Sequence, residues 1–194
     1  MRDAKALTWL SSALMLGGAA FLGWYYWTLH EAATAQRLAK QWLNRTPVRG
    51  RSTSLAVRHE NVVRRGDVIG ELDIPRLKIS VMVFEGDDTK ILKIGAGHIP
   101  GTALPQGRGN IGIAAHRDTY FRPLQAVHSN DRIDLRTPAG TSHYSVTTTE
   151  IVRPSDIGVL ARARGSDLTL VTCYPFYYVG SAPQRFIVHA RKIE

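Results

Sequence analysis

The hydrophobic positions divide the chain into a long apolar segment near the start and a region of short alternating runs after it. Beyond position 67, runs rich in β-branched residues are separated by Gly, Pro, Asp and Asn, which are residues that end strands. This pattern predicts seven strands, over 68–74, 79–84, 110–115, 132–137, 142–153, 169–173 and 183–188. Only two short helices are predicted there, over 87–93 and 155–160. Many short strands with few helices are typical of an all-β barrel.

The apolar segment near the start has the length of a membrane span. From Ala6 to Leu29 there are 24 residues without a charge, and about 20 such residues cross a bilayer as a helix. The run Trp24-Tyr25-Tyr26-Trp27 fits the aromatic belt found at membrane interfaces. A buried core helix would show a polar face, and a cleaved signal peptide has a shorter apolar stretch. The segment therefore predicts an uncleaved transmembrane signal-anchor helix.

The region between this segment and the strands combines a helical stripe with a basic linker. Apolar side chains recur at helical spacing and predict a helix over 30–44; they are Ala35, Leu38, Ala39, Trp42 and Leu43. The stripe fits two arrangements, a helix lying on the membrane or a helix packed on the folded domain. The chain is thus predicted to divide into a cytoplasmic tip with the anchor at 1–29, a juxtamembrane helix and linker at 30–65, and a folded domain at 66–194.

The positive charge is concentrated beside the predicted anchor. The sequence has a formal net charge of +9. Residues 1–65 contain ten Lys and Arg against three Asp and Glu, whereas residues 66–194 contain fifteen against thirteen. The basic excess favours contact with anionic lipid headgroups. Nucleic-acid binding is disfavoured, because the strand region has no basic face interleaved with aromatic residues.

The only cysteine lies at the end of a predicted strand. The run Thr169-Leu170-Val171-Thr172 leads into Cys173, and Pro175 ends the strand two residues later. This arrangement places the sulfur at the mouth of a sheet, where a nucleophile can meet a substrate. A lone cysteine is more often a small buried hydrophobe, so this alternative stays open. One cysteine also excludes an intramolecular disulfide.

Two further strand ends carry groups that suit a reactive thiol. The strand at 110–115 ends on His116, and Arg185 lies near the start of the last strand. A thiol, an imidazole and a guanidinium are the nucleophile, the proton carrier and the fixed cation of cysteine acyl transfer. The main alternative to His116 is His98, in a glycine-rich loop. Strand alternation points Arg117 away from the side of the sheet that His116 faces.

These segments resemble the sortases, a family of membrane-anchored cysteine transpeptidases. The matching pieces are Thr169-Leu170-Val171-Thr172-Cys173, Ala115-His116-Arg117-Asp118 and Arg185. The resemblance covers roughly Asp67 to the C-terminus. It implies that residues 66–194 are a sortase-like catalytic domain with the fold of a closed eight-stranded β-barrel carrying short helices.

Other motifs narrow the resemblance to particular sortase classes. Gly97-His98-Ile99-Pro100-Gly101-Thr102-Ala103 and Phe121-Arg122-Pro123-Leu124 look most like the class D and class E sortases and their Gram-negative relatives. One departure is Ala115, where many relatives carry glycine before the histidine. This departure adds a methyl group beside the site and leaves the chemistry in place.

The resemblance implies a role for each candidate site residue. Cys173 is expected to be the nucleophile and His116 the proton carrier. Arg185 is expected to stabilise the oxyanion or hold the substrate backbone. Thr172 is expected to add a hydroxyl or a backbone donor to the oxyanion site, and Leu170 to line the substrate groove beside it.

No cofactor is expected for this chemistry. A small acidic group, Glu85, Asp87 and Asp88, is the candidate for a bound calcium ion. Two of its carboxylates suit the acidic start of the helix predicted at 87–93, which disfavours the calcium alternative.

The resemblance also implies a substrate and a location. Sortases cleave an LPxT-type C-terminal sorting signal through an acyl-enzyme and transfer the acyl group to an amine at the cell envelope. The expected location is the cell membrane, as a single-pass protein with its N-terminus inside and its folded domain outside. Two alternatives stay open: a cysteine peptidase that uses water as the acceptor, and a membrane-anchored binding module with an inert cysteine.

The order of the candidate residues excludes two other classes of cysteine enzyme. Papain-like peptidases place the cysteine before the histidine and an asparagine after it. Here His116 comes first, and no asparagine follows Asn130. Peptidoglycan L,D-transpeptidases carry His-Gly directly before the cysteine, where this chain has Val171-Thr172.

Overall fold

Eight strands in the described part of the chain form a sheet that closes on itself. The structure, a computed structural model, describes residues 2–46, 63–105, 107–161 and 165–193. The strands are β1 (Val68–Ile74), β2 (Ile79–Glu85), β3 (Ala96–His98), β4 (Gly109–Ala114), β5 (Arg132–Thr137), β6 (Gly140–Val152), β7 (Ser166–Tyr174) and β8 (Gln184–Lys192). The α-helices of these ranges are α1 (Arg2–Arg45) and α2 (Thr89–Ile94), and short 3₁₀ helices span Pro75–Leu77, Arg122–Ala126 and Ile157–Leu160.

The order of the strands brings β4, β7 and β8 side by side. Around the barrel the order is β1-β2-β3-β4-β7-β8-β6-β5. The β2–β3 and β4–β7 pairs are parallel, and the other pairs are antiparallel. The predicted closed eight-stranded barrel is therefore confirmed. Because β4 and β7 are parallel neighbours, their carboxyl ends lie at the same edge.

The hydrophobic pattern does not predict one of the eight strands. β3 has three residues with Gly97 at its centre. A Cβ at Gly97 would lie 2.1 Å from the carbonyl oxygen of Gly86, so only glycine allows these two backbones to approach so closely. A three-residue strand built around a glycine carries too little hydrophobic alternation to be recognised from the sequence.

Alternate side chains of the strands fill the interior of the barrel. Leu72, Ile111, Leu135 and Leu168 are completely buried there, one from each of four strands. Each such side chain contributes about 1.5–3 kcal/mol through its removal from water. The interior is thus a packed core, and side chains that meet a substrate must lie on the outer face or at the rims.

The N-terminal helix α1 is one uninterrupted helix of 44 residues. It covers both the segment predicted as an anchor at 6–29 and the helix predicted at 30–44, so the structure has no break near residue 29. Within the described residues, no helical stretch combines the length and the apolar character that a membrane crossing requires. The predicted span stays a prediction.

The second half of α1 packs on the barrel. Ala39 and Leu43 are buried against an apolar patch formed by Met82, Phe84 and Ile91. This contact decides between the two arrangements left open by the helical stripe, because the buried positions face the domain. The predicted basic linker at 48–65 lies mostly outside the described residues.

Polar contacts fix the register of α1 against the barrel. The side chain of Gln36 accepts a hydrogen bond from the backbone of Met82 at 2.8 Å and donates one to the carbonyl oxygen of Ile94 at 2.5 Å. Lys40 lies 2.5 Å from the carboxylate of Glu71, which also pairs with Arg136. The helix is therefore held by both apolar and polar contacts, and α1 belongs to the folded unit.

A chain that begins at residue 66 is expected to be less stable than one that begins at residue 30. Removal of α1 would expose the apolar patch and remove one of the two cations that pair with Glu71. The burial lost corresponds to about 3 kcal/mol or more, which lowers the melting temperature by roughly 10 °C. Thermal denaturation of 30–194 and 66–194 measures the difference. Equal melting temperatures would contradict a role for α1 in the fold.

The pairing of Glu71 makes this interface sensitive to acid. Burial alone would raise the pKa of Glu71, but hydrogen bonds from Lys40, Arg136 and Ser80 outweigh it and hold that pKa below its ordinary value. A carboxylate whose pKa is depressed in the folded state stabilises the fold above its unfolded pKa, which is about 4.3. The stabilisation is lost as the pH falls through the folded pKa.

We expect the free energy of unfolding to decline below about pH 4.5, and Glu71→Gln to flatten part of that decline. Other carboxylates with depressed pKa values, such as Asp131 beside Arg76, account for the remainder. Urea denaturation between pH 7 and pH 3 measures both curves. Identical slopes for the wild type and the variant would exclude Glu71 as a contributor.

Candidate active site

The candidate nucleophile and the candidate cation are direct neighbours across two strands. Cys173 on β7 is the register partner of Arg185 on β8. Partners directly opposite each other in an antiparallel pair point to the same face, with Cβ atoms about 4.5–5.5 Å apart. The thiol and the guanidinium therefore share one face of the barrel wall.

That face is the outer one. Leu168 and Leu170 are completely buried in the barrel interior, and the side chains of a strand alternate between its faces. Val171 and Cys173 thus point outward, where Cys173 is half-buried. The cysteine is consequently accessible from outside the core, unlike a cysteine that serves only as packing.

The candidate proton carrier lies at the edge of the neighbouring strand. The backbone N–H of Ala115 bonds the carbonyl oxygen of Val171 at 3.2 Å and so extends the β4–β7 ladder by one residue. Ala115 is buried, and alternation then directs His116 outward, on the face that Cys173 shares. The chain turns directly after this point, where the N–H of Phe121 donates to the carbonyl oxygen of His116 at 3.1 Å.

One cleft joins the three candidate residues. It has a volume of about 410 Å³, and His116, Cys173 and Arg185 all line it. Its walls are largely apolar and are formed by Leu92, Ile99, Val152, Ile157, Leu160 and Ile187. The thiol, the imidazole and the guanidinium therefore lie in a groove whose walls suit a bound peptide with apolar side chains.

Arg185 is held by its own loop. Its Nη1 donates hydrogen bonds to the carbonyl oxygens of Ala182 at 3.3 Å and Gln184 at 3.0 Å. A guanidinium has five N–H donors in a fixed fork, so these two bonds orient the group and leave donors for a substrate. The strand pairing and the loop together fix the direction of the cation.

Two predicted site residues have structural roles instead. Thr172 is 3% exposed, and its hydroxyl donates to the carbonyl oxygen of Ala115 at 2.8 Å. The hydroxyl is therefore engaged in a structural bond, because a hydroxyl has a single hydrogen to give. Thr172 still lines the cleft, and its role as a backbone donor to the oxyanion stays a prediction. Leu170 is 0% exposed in the core, so its predicted place in the groove is wrong. Strand alternation predicts both results, because Thr172 and Leu170 lie one and three residues before Cys173 and so point to the opposite, inner face.

The alternative histidine is locked inside the barrel wall. His98 is 1% exposed. Its Nδ1 bonds the carboxylate of Glu85 at 2.6 Å, and its Nε2 lies 3.0 Å from the carbonyl oxygen of Ala103. A ring with both nitrogens engaged and no access to the cleft is not available as the proton carrier. Its contacts instead hold the loop that follows β3.

The acidic group at 85–88 is also engaged in structural contacts. Glu85 bonds His98, and Asp88 caps the N-terminus of α2 through the N–H of Lys90 at 2.9 Å. Asp88 also forms a two-point pair with Arg65, at 2.6 and 2.7 Å. Hydrogen bonding to Arg65 lowers the pKa of Asp88 far below its ordinary range. Two of the three carboxylates considered for calcium are thus already partnered.

Sequence reasoning predicted a short helix at 155–160 but missed that this segment forms one wall of the cleft. Arg153, Pro154, Asp156 and Ile157 line the cleft from the β6–β7 connection. Ile157 is 77% exposed, which is unusual for a large apolar side chain outside a contact surface. The available signal was the apolar run Ile157-Gly158-Val159-Leu160-Ala161 in a connection between two strands.

Replacement of His98 is expected to lower stability, whereas replacement of His116 is expected to lower the reaction rate. His98→Ala removes a buried ring and leaves partly buried polar groups of Glu85 and Ala103 without that partner, and it is expected to cost about 2–4 kcal/mol of stability. The activity per folded molecule stays within a few-fold of the wild type. His116→Ala is expected to lower the rate by about 10²–10⁴ with little loss of stability. Paired denaturation and peptide-cleavage assays test this, and a reversed outcome would make His98 the proton carrier.

Comparison with known proteins places this geometry in a family. The Sortase domain profile matches residues 72–193, which include all but the first residues of the barrel. The chain is 33% identical over 129 residues to sortase D of Bacillus subtilis, a match that covers 66% of this chain and 65% of that protein. The chain belongs to the sortase family.

Solved structures agree with the fold. A sortase D5 transpeptidase of Clostridium perfringens superposes with a TM-score of 0.68 at 24% identity, covering 85% of this chain and 99% of that one, which is a likeness of fold. Sortase C of the same species, solved with the C-terminal cell wall sorting motif, gives a TM-score of 0.63 at 27% identity, covering 69% and 74%. The roles of Cys173, His116 and Arg185 stay predictions.

Proposed function

We propose that this protein is a cysteine transpeptidase that cleaves an LPxT-type C-terminal sorting signal and transfers the acyl group to an amine at the cell envelope. One observation carries the proposal: Cys173 and Arg185 are cross-strand partners on the outer face, in the same cleft as His116. Membership of the sortase family supports the same chemistry.

In the first half of the reaction, the thiol of Cys173 gives its proton to His116, and Sγ attacks the carbonyl carbon of the substrate threonine. The carbonyl oxygen becomes an oxyanion, which Arg185 stabilises through directed N–H donors. His116 donates a proton to the nitrogen of the leaving residue as the C–N bond breaks. The product of this step is a thioester on Cys173.

In the second half, an amine replaces the sulfur. The amine nitrogen attacks the thioester carbon, and His116 accepts a proton from that nitrogen. Arg185 again faces the oxyanion, the C–S bond breaks, and His116 returns the proton to the sulfur to regenerate the thiol. If water replaces the amine, the protein is a peptidase. Product analysis distinguishes this alternative from a transpeptidase.

The substrate assignment rests on the shape and lining of the cleft. Apolar walls flank the thiol and suit the leucine and proline of such a signal. The structure of sortase C of Clostridium perfringens with a C-terminal cell wall sorting motif supports the same class of partner.

The proposed location is the outer side of the cell membrane, with the first half of α1 as the anchor. The run of 24 uncharged residues supports this location. So do the exposed side chains of Leu14, Met15, Phe21, Trp24 and Trp27, which have no cover within the described residues. The basic residues near the anchor are proposed to contact anionic lipids. Alkaline extraction of membranes tests the location: full-length protein stays with the lipid fraction, and 30–194 is released.

Peptide cleavage with and without an added amine tests the function. The substrate is a peptide with an LPxT motif between a fluorophore and a quencher, and the acceptor is a short peptide with an N-terminal glycine. Transfer predicts a ligated product whose yield rises with the acceptor concentration, and a thioester on Cys173 detected by mass spectrometry. Release of the free acid alone would indicate a peptidase. Absence of cleavage, with a thiol protected from alkylation, would indicate a binding module.

A further inference from the structure

The loop that joins β7 to β8 separates the nucleophile from the cation. Residues 175–183, here termed the β7–β8 loop, begin two residues after Cys173 and end two residues before Arg185. The loop is solvent-exposed at its centre, where Val179 is 94% exposed. Because the loop joins the two strand ends, the contacts that hold it bear on the positions of Cys173 and Arg185.

A single guanidinium holds the centre of this loop. Nη2 of Arg117 donates hydrogen bonds to the carbonyl oxygens of Tyr178 at 2.6 Å and Gly180 at 3.0 Å. The φ of +96° at Gly180 lies in the region that glycine adopts without strain, and it allows a tight turn between the two carbonyls. Both hydrogens of Nη2 are used, and Arg117 directly follows His116.

Two ring contacts reinforce the attachment. The guanidinium carbon of Arg117 lies 5.9 Å from the centre of the Tyr178 ring, and that of Arg122 lies 5.6 Å from the centre of the Tyr177 ring. Both distances fall within the range of cation–π attraction. Two arginines of the segment after His116 therefore contact two successive tyrosines of the β7–β8 loop.

The guanidinium of Arg117 carries an unusual cost. Its Nη1 is buried and has no hydrogen-bond partner among the described residues. A buried donor without a partner destabilises a fold and in native proteins calls for an explanation. If Arg117 served only to stabilise the loop, a group with a buried unpaired donor would be a poor choice. The cost therefore argues that the position of the loop matters for function.

We propose that Arg117 is a positioning residue that fixes the β7–β8 loop and, through it, the two strand ends that carry Cys173 and Arg185, so that the acyl-enzyme reacts with an amine in preference to water. The inference rests on the proposed transpeptidase function. Arg117 links the segment that carries His116 to the loop that joins Cys173 to Arg185. A released loop would loosen the geometry of Cys173 and Arg185 relative to His116, so that an amine would lose its advantage over water at the thioester.

The test compares the fate of the acyl-enzyme in variants of the full-length chain. With the LPxT peptide and the glycine acceptor, Arg117→Ala is expected to raise the ratio of hydrolysis to transfer about tenfold and to lower kcat about tenfold. Arg117→Lys keeps donors for the two carbonyls and is expected to restore most of the wild-type ratio. Chymotrypsin is expected to cut faster after Tyr177 and Tyr178 in Arg117→Ala.

The matched control is Arg76→Ala. Nη2 of Arg76 also binds a backbone carbonyl, that of Ala126 at 2.5 Å, and its guanidinium pairs with Asp131, but these bonds do not reach the β7–β8 loop. This variant is expected to lose stability without a change in the ratio of hydrolysis to transfer. The comparison separates a positioning role from a structural one.

The outcomes are distinct. If the wild type never transfers the acyl group to the amine, the proposed function is refuted, and the ratio of hydrolysis to transfer cannot be measured. A wild type that transfers, with an unchanged ratio in folded Arg117→Ala, overturns the role of Arg117 alone. If Arg117→Ala does not fold, Arg117→Gln, which keeps one donor for the carbonyls, is judged by the same ratio. A shift equal to that of Arg76→Ala also overturns the proposal.

Discussion

Replacement of Cys173 by alanine is expected to abolish acyl transfer and to leave the fold intact. Deleting the nucleophile of a covalent mechanism lowers the rate by about 10⁴-fold or more. The side chain is half-buried on the outer face and not in the core, so we expect a stability loss below about 1.5 kcal/mol. Cleavage of the LPxT peptide and urea denaturation measure the two effects.

Chemical modification gives an independent control for this variant. Iodoacetamide is expected to label the folded wild type at Cys173 and to abolish its activity in proportion to the labelling, because no other cysteine exists in the chain. Residual turnover of Cys173→Ala within tenfold of the wild type would exclude Cys173 as the nucleophile.

Arg185→Lys is expected to be nearly as damaging as Arg185→Ala. A guanidinium directed at the forming oxyanion is worth about 3–4 kcal/mol, or roughly 10²–10³ in rate. The fork of Arg185 binds the carbonyl oxygens of its own loop through Nη1 and can present other donors to the substrate. Lysine keeps the charge but has one compact ammonium group, so it cannot do both. Single-turnover kinetics measure the chemical step directly.

The matched control for this prediction lies on the same strand. Arg191 is six residues further along β8, on the same outer face, and pairs in register with Asp167. It does not line the cleft, so Arg191→Ala is expected to keep the wild-type rate. An active Arg185→Lys would indicate a general effect of charge. Full activity in both Arg185 variants with reduced stability would make Arg185 a structural residue.

Much of the barrel follows from local patterns. Seven strands carry enough β-branched alternation to be predicted, and the strand ends at Cys173 and His116 are visible in the sequence. The closure of the barrel came from the resemblance to sortases, since strand order depends on contacts far apart in the chain. β3 is not predicted because Gly97 allows a close approach of two backbones and contributes no hydrophobic signal.

The sequence predicts the site residues whose type alone indicates their chemistry. It does not predict the features of the site that depend on packing. The thiol, the imidazole and the guanidinium are identifiable from the residues, but the direction of Leu170 and Thr172 required the pleat to be counted from Cys173. The contact of Arg117 with Tyr178 joins residues 61 apart. No local pattern encodes such a contact, so only the folded structure reveals it.

The unbroken helix α1 has a mechanical consequence. Because Gln36, Ala39 and Leu43 fix one end to the barrel, the barrel and the helix turn together as one body. An α-helix advances 1.5 Å and rotates about 100° per residue. Insertion of one residue between positions 12 and 30 would therefore swing the cleft by about 100° around the helix axis relative to the first turns. Four inserted residues would nearly restore its azimuth, about 6 Å further out.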